Sequence, residues 1–109
     1  MAAYQLVFLP IAKQDMVDIA KYIAVELCNP AAANKLGDEM IEAAERICDF
    51  PHINAIHRAV KPLKHEYRKL IVKNYILFYW IDEIEKLITV ARVIYARRDY
   101  NELLQTAHL

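Results

Sequence analysis

Residues 67–95 hold three apolar, β-prone runs with little between them, and that spacing is the strongest constraint on the fold. The first run is 67–72, and Lys73-Asn74 after it is a two-residue turn signal. Residues 75–81 are apolar on both faces, as expected of a central strand. Residues 82–86 turn the chain again, and 87–95 complete a three-stranded meander.

The first half has a different period. Residues 4–9 form a short apolar run that Pro10 stops, which predicts a buried strand. Pro10 suits the first turn of a helix, where its missing N–H costs nothing. Ala12, Met16, Ile19, Ala20, Ile23 and Leu27 then recur at helical spacing, with Lys13, Gln14, Asp18 and Lys21 on the other side. Asn29-Pro30 supplies an N-cap and a proline at the first helical position of a second helix. Its stripe is Ala33, Leu36, Met40, Ala43, Ala44 and Ile47, and Phe50-Pro51 ends it. The outer face carries Asp38, Glu39, Glu42 and Glu45, either solvated or facing a partner. Gly37 inside the helix costs about 1 kcal/mol relative to alanine and is readable as a point of close helix approach. Residues 52–65 read as a loop, and Asp99-Tyr100-Asn101-Glu102 as the capping box of a short helix through Leu103 and Leu104.

The order is therefore β-α-α-β-β-β-α. It predicts a single α+β domain over residues 1–109, with a helical hairpin on one face of a mostly antiparallel four-stranded sheet. A chain 57% hydrophobic and 26% charged is globular rather than disordered. No apolar run approaches the roughly 20 residues that cross a bilayer, and the first residues lack a basic stretch ahead of an apolar core. The expectation is a cytoplasmic protein with no membrane role. Cys28 and Cys48 flank the second helix, about 27 Å apart at 1.5 Å per residue, too far for a disulfide. Both read as small, reduced core residues.

The net charge is zero but unevenly placed. Residues 1–51 carry 8 acidic and 4 basic residues, and residues 52–109 carry 6 acidic and 10 basic. Arg58, Lys61, Lys64, Arg68, Lys69 and Lys73 crowd one stretch with Glu66 alone against them. Such a stretch either steers the chain toward an anion or is a solvated loop and guarded strand edge.

Small-molecule catalysis finds little support. One glycine leaves no phosphate-cradling loop, serine is absent, and no histidine or cysteine spacing points to a metal. No cofactor is expected. His52, His57, His65 and His108 lie in the loop or tail and read as surface histidines. The remaining candidates are Arg68, Lys69, Arg92, Arg97 and Arg98, with Tyr67 and Tyr75. Arginine offers a planar cationic fork. These arginines either converge on a sheet face to hold RNA backbone or an acidic segment, or form ordinary ion pairs.

Taken together the marks resemble the RelE/ParE toxin superfamily. They are the strand ending in Pro10, Tyr22-Ile23, Asn29-Pro30-Ala31-Ala32-Ala33, and Phe50-Pro51. Tyr67-Arg68 leading into 75–82, Arg92-Val93-Ile94-Tyr95 and Arg97-Arg98-Asp99-Tyr100 come next, in the right order over nearly the whole chain. The resemblance implies a toxin neutralised by a cognate antitoxin, as a homodimer or in a toxin–antitoxin hetero-oligomer. One branch cleaves mRNA on the ribosome, and the other poisons DNA gyrase.

For the nuclease branch, the resemblance puts the first basic position at Arg68 and the late arginine at Arg97, or Arg98 if the register slips by one. The second basic position falls on Leu70, the second-strand arginine on Ile76 and the tail tyrosine on Leu103. Half the set is missing. Arginine is a poor general base, and strand alternation puts Tyr67 and Lys69 opposite Arg68. The Arg-Arg-Asp-Tyr ending also looks more like the ParE side. The resemblance thus implies a ParE-like toxin that binds a target such as gyrase, with Lys61, Lys64, Arg68, Lys69, Arg97 and Arg98 as target-binding candidates. The alternatives are a RelE-type endoribonuclease using Arg68 and Arg97, and a degenerate toxin that only binds antitoxin.

Overall fold

The computed structural model describes residues 3–58, 63–98 and 103–104. Strand β1 (Gln5–Phe8) leads into helix α1 (Pro10–Lys21), and after a wide turn comes helix α2 (Pro30–Ile47). The meander is β2 (Arg68–Val72), β3 (Tyr75–Asp82) and β4 (Leu87–Tyr95). The strand order is β1-β4-β3-β2, with β1 parallel to β4 and the other two pairings antiparallel. This is the predicted α+β architecture. Leu103 and Leu104 are helical, while the proposed cap at 99–102 lies outside the described residues.

Local chemistry sets the helix ends. Asn29 Oδ1 accepts the Ala32 N–H at 3.1 Å, and Pro30 starts α2. The apolar stripe of α2 then buries Leu36, Met40, Ala43, Ala44 and Ile47 against Leu77, Tyr79, Ile88 and Val90 of the sheet. The opposite sheet face is not bare. Tyr67, Ile76, Phe78, Ala91, Ile94 and Leu104 form a second core there, backed by Leu63 and Leu103.

One irregularity reorients β4. Phe78 pairs with Arg92 and Tyr79 with Val90, so Ala91 is an extra residue in β4. Simple alternation would send Val93 to the face opposite Val90; the bulge returns both to the helix side. It also leaves Arg92 free to reach α1.

Several local expectations change. The buried strand of the first half is an edge strand with alternate residues exposed, and Val7 faces solvent. β3 is an inner strand as expected, between β4 and β2, and β4 is inner too and buried along most of its length. Helix α1 does not keep its period to Leu27. Leu27 N–H donates to Tyr22 C=O at 3.2 Å, an i to i+5 bond that widens the turn by one residue. The extra residue rotates the end of the helix, and Leu27 leaves the core for solvent. Cys28 is also exposed, at a φ of 50° in the reversal between the helices, while Cys48 is buried as expected.

Gly37 is not a close-approach site, since an added methyl would meet nothing within 4 Å. Gly37→Ala is therefore expected to stabilise the protein by about 0.5–1 kcal/mol through helix propensity alone. A denaturant midpoint that fell would show a crowding the backbone does not reveal.

Candidate functional site

An open groove of about 760 Å³ lies where the helical hairpin meets the far end of the sheet. The wide turn contributes Tyr22, Ile23 and Leu27, α2 contributes Ala32 and Leu36, and Tyr75 and Tyr95 come from the sheet. The two sheet tyrosines meet edge to face at 5.7 Å. Burial pushes the Tyr75 hydroxyl up from its ordinary pKa, with Tyr95 and Tyr22 adding to it. The Tyr75 hydroxyl therefore keeps its proton at neutral pH and can donate a hydrogen bond. Lys35, Glu39 and Lys73 stand on the rim, with Lys73 and Glu39 3.8 Å apart. Tyr22 and Leu27 are each more than half exposed. The widened turn thus turns apolar side chains from the core into the groove wall.

Arg97 and Arg98 are exposed and come two and three residues after Tyr95, which lines this groove. The Ala96 N–H donates to Asn74 C=O, and the Arg98 N–H to Tyr95 C=O, which fixes the turn carrying them.

Arg68 lies elsewhere. It pairs with Tyr79, whereas the hairpin tip and the end of β4 are at the level of Val72, Tyr75 and Tyr95. That is about 13 Å along the strand and two inter-strand spacings away. The structure does not bring Arg68 together with Arg97 and Arg98. Arg68 Nη1 donates to His52 C=O at 3.2 Å and to Asn54 C=O at 2.7 Å, tying the loop to β2. Asn54 in turn donates to the Tyr79 hydroxyl, which donates to Pro51 C=O. Lys69 lies half-buried at the neighbouring position of β2, Lys64 is exposed, and Lys61 lies outside the described residues.

Arg92 is not available to a target. Its Nε and Nη2 make a two-pronged contact to Asp15 of α1 at 2.8 and 2.9 Å, and Nη1 donates to Leu103 C=O. Asp15 also accepts the Val93 N–H at 2.9 Å, continuing the edge of β4 where β1 has ended. Nothing in the sequence pairs these two residues, which lie 77 positions apart.

Tyr67 is fully buried in the second core, and its hydroxyl has no hydrogen-bond partner among the described residues. Burial alone pushes its pKa up. It cannot touch a substrate. Tyr67→Phe is expected to be neutral or to stabilise by about 1 kcal/mol, since it removes an unsatisfied buried hydroxyl; a clear loss in the denaturant midpoint would contradict that. His57 is likewise not a surface histidine, because the loop folds it edge-on against Phe78. His108 lies outside the described residues.

The profile of the family described as the ParE toxin of the type II toxin–antitoxin system parDE matches residues 6–100. The chain belongs to this family. It is a toxin of the type II toxin–antitoxin class within the wider RelE/ParE group. Among solved structures, the chromosomal ParDE system from P. aeruginosa superposes with a TM-score of 0.70 at 18% identity, covering 87% of this chain and 98% of that one. The toxin–antitoxin complex RelBE2 from Mycobacterium tuberculosis gives 0.56 at 16%, over 87% and 93%. A mutant E. coli toxin RelE in the free state gives 0.57 at 17%, over 100% and 99%. At these identities they show the fold. No curated protein sequence matches the chain. Among the described residues, no helix of this ParE-family chain is long and apolar enough to cross a membrane.

Proposed function

We propose that this chain is a ParE-like toxin that stops growth in the cytoplasm by binding DNA gyrase, and that a cognate antitoxin holds it inactive. The observation that carries this reading is the separation of the basic positions. Arg68 is engaged with loop carbonyls at one level of the sheet, and Arg97 and Arg98 follow the end of β4 at another. The intervening positions support it too: Ile76 is buried in the second core and Leu70 packs on the first. Cleavage by 2′-hydroxyl attack needs an acceptor, a donor and a cation around one phosphate. Arg68 and Arg97 are too far apart to share that work. The higher superposition on ParDE than on RelE also favours a binding toxin.

The antitoxin belongs to the same reading. The P. aeruginosa and M. tuberculosis relatives were solved as toxin–antitoxin systems. The groove, with its exposed Tyr22 and Leu27, is an apolar surface of the kind that partners cover. Arg97 and Arg98, which come shortly after Tyr95 in its wall, fit an acidic flank on the partner.

Cell-free translation programmed with purified mRNA tests the choice of target. With protein that arrests growth, translation is expected to proceed and the mRNA to stay intact. Codon-linked cuts would instead make the chain a ribosome-dependent nuclease and overturn the reading.

A further inference from the structure

Phe50, Ile53 and Ile84 are each more than two-thirds exposed, and all three lie on loops at the end of the sheet opposite the groove. We propose that this apolar knob docks into the groove of a second copy of the chain, so that copies join head to tail. The groove is also where the antitoxin is proposed to bind, so the two occupants compete for it. The inference stands without that reading, because its test uses the chain alone.

The knob is built from two loops that are fastened to each other. The Ile53 N–H donates to Phe50 C=O, which folds residues 50–53 into one turn. His52 Nε2 meets Glu83 Oε1, so the neighbour of Ile53 is tied to the neighbour of Ile84. Pro51 C=O accepts the Tyr79 hydroxyl, and the carbonyls of His52 and Asn54 accept Arg68. On the other loop, Asp82 Oδ1 accepts the Ile84 and Glu85 N–H groups. Both backbones are therefore held before any partner arrives, which lowers the ordering cost of binding. Apolar residues exposed singly are ordinary, whereas a fixed group of them marks a contact surface.

Position and charge name the occupant. Tyr75 opens β3 and lines the groove, while Ile84 lies just past the other end of the same strand. The two surfaces are thus a strand length apart, about 23 Å at 3.3 Å per residue. Their charges are opposite. On the loops of the knob stand Asp49, Asp82, Glu83 and Glu85 against Lys86, with Asp49 and Glu85 exposed. Arg68 and Glu66 lie together on the sheet side and offset each other. The groove is rimmed by Lys35 and Lys73 against Glu39, and Arg97 and Arg98 come shortly after Tyr95 in its wall.

An apolar centre with an acidic rim therefore meets an apolar groove with a basic rim. Knob against knob would bring carboxylates together, and groove against groove would bring cations together. Knob into groove is the pairing that remains. Because the two surfaces lie at opposite ends, each added copy leaves one knob and one groove free, and growth is open. The interface is small beside the roughly 1,600 Å² of a standard one, so association is weak and shows at high concentration.

Analytical sedimentation of the chain alone, over a range of concentrations, tests this. The average mass is expected to rise continuously past that of a dimer, and to fall back as salt is raised. Ile53→Lys with Ile84→Lys alters the knob, and Leu27→Glu alters the groove. Each puts a like charge at the contact and is expected to weaken association about 10-fold or more. All three side chains are exposed, so the fold should survive, with circular dichroism as the check. Mixing the two variants is decisive. The knob variant keeps its groove and the groove variant keeps its knob, so the mixture should regain association yet stop at one copy of each. A monomer at every concentration, a dimer that grows no further, variants that associate as the parent does, or a mixture no heavier than its components would each overturn the proposal.

Discussion

Asp15→Ala is expected to destabilise the protein by about 3–5 kcal/mol, the range for stripping one partner from a buried ion pair. Asp15 and Arg92 are 14% and 9% exposed at their side chains, and the carboxylate accepts from both the guanidinium and the Val93 N–H. Without it, Arg92 is left as a buried cation whose remaining partner among the described residues is the Leu103 carbonyl. The Val93 amide also loses its acceptor beyond the end of β1. At about 4 °C per kcal/mol or more for a domain of this size, the melting temperature should fall by roughly 12 °C or more. Removing both charges together, as Asp15→Leu with Arg92→Met, should cost much less, because no unpaired charge remains. A thermal melt of the three proteins checks both parts. A loss below about 1 kcal/mol for Asp15→Ala would mean that water reaches the pair and screens it.

The second large effect is on binding. On the proposed function, Tyr22→Ala combined with Leu27→Glu should weaken the antitoxin complex by about 100-fold or more. Apolar anchors in a groove commonly carry about 2 kcal/mol or more each, and about 2.8 kcal/mol is 100-fold. Both side chains are more than half exposed in the isolated chain, so the fold should survive the change. Calorimetric titration against the antitoxin, with circular dichroism as the control on folding, separates the two effects. An unchanged affinity would place the antitoxin on another surface.

These two predictions rest on features of different legibility. The three meander strands were readable because their apolar runs and Lys73-Asn74 act locally. The start of α2 was readable for the same reason, in Asn29-Pro30. Asp15 and Arg92 were not. Each looks like an ordinary charged residue until the bulge at Ala91 and the early end of β1 bring them together. Leu27 departs from the stripe without a sequence signal, since no glycine or proline marks the widened turn and one inserted residue is enough to rotate it out.

The candidate site was legible in composition and not in arrangement. The basic residues were visible, and the register of β2 against β3 is what separates Arg68 from Arg97. Counting back from Lys73-Asn74 gives that register, so a signal was present in the sequence. For Glu83, His52 and Tyr4 there was none, since the loop, the β3–β4 turn and the approach to β1 meet only in the folded chain. The burial of His57 arises in the same way, from the path of the loop over Phe78.

The most direct test of the central claim is a supercoiling reaction with purified gyrase and relaxed plasmid, run with increasing amounts of this protein and with the antitoxin added back. The account predicts that supercoiling stops, leaving relaxed or cleaved plasmid, and that equimolar antitoxin restores it. Undisturbed supercoiling at a large excess of protein that still arrests growth would contradict it.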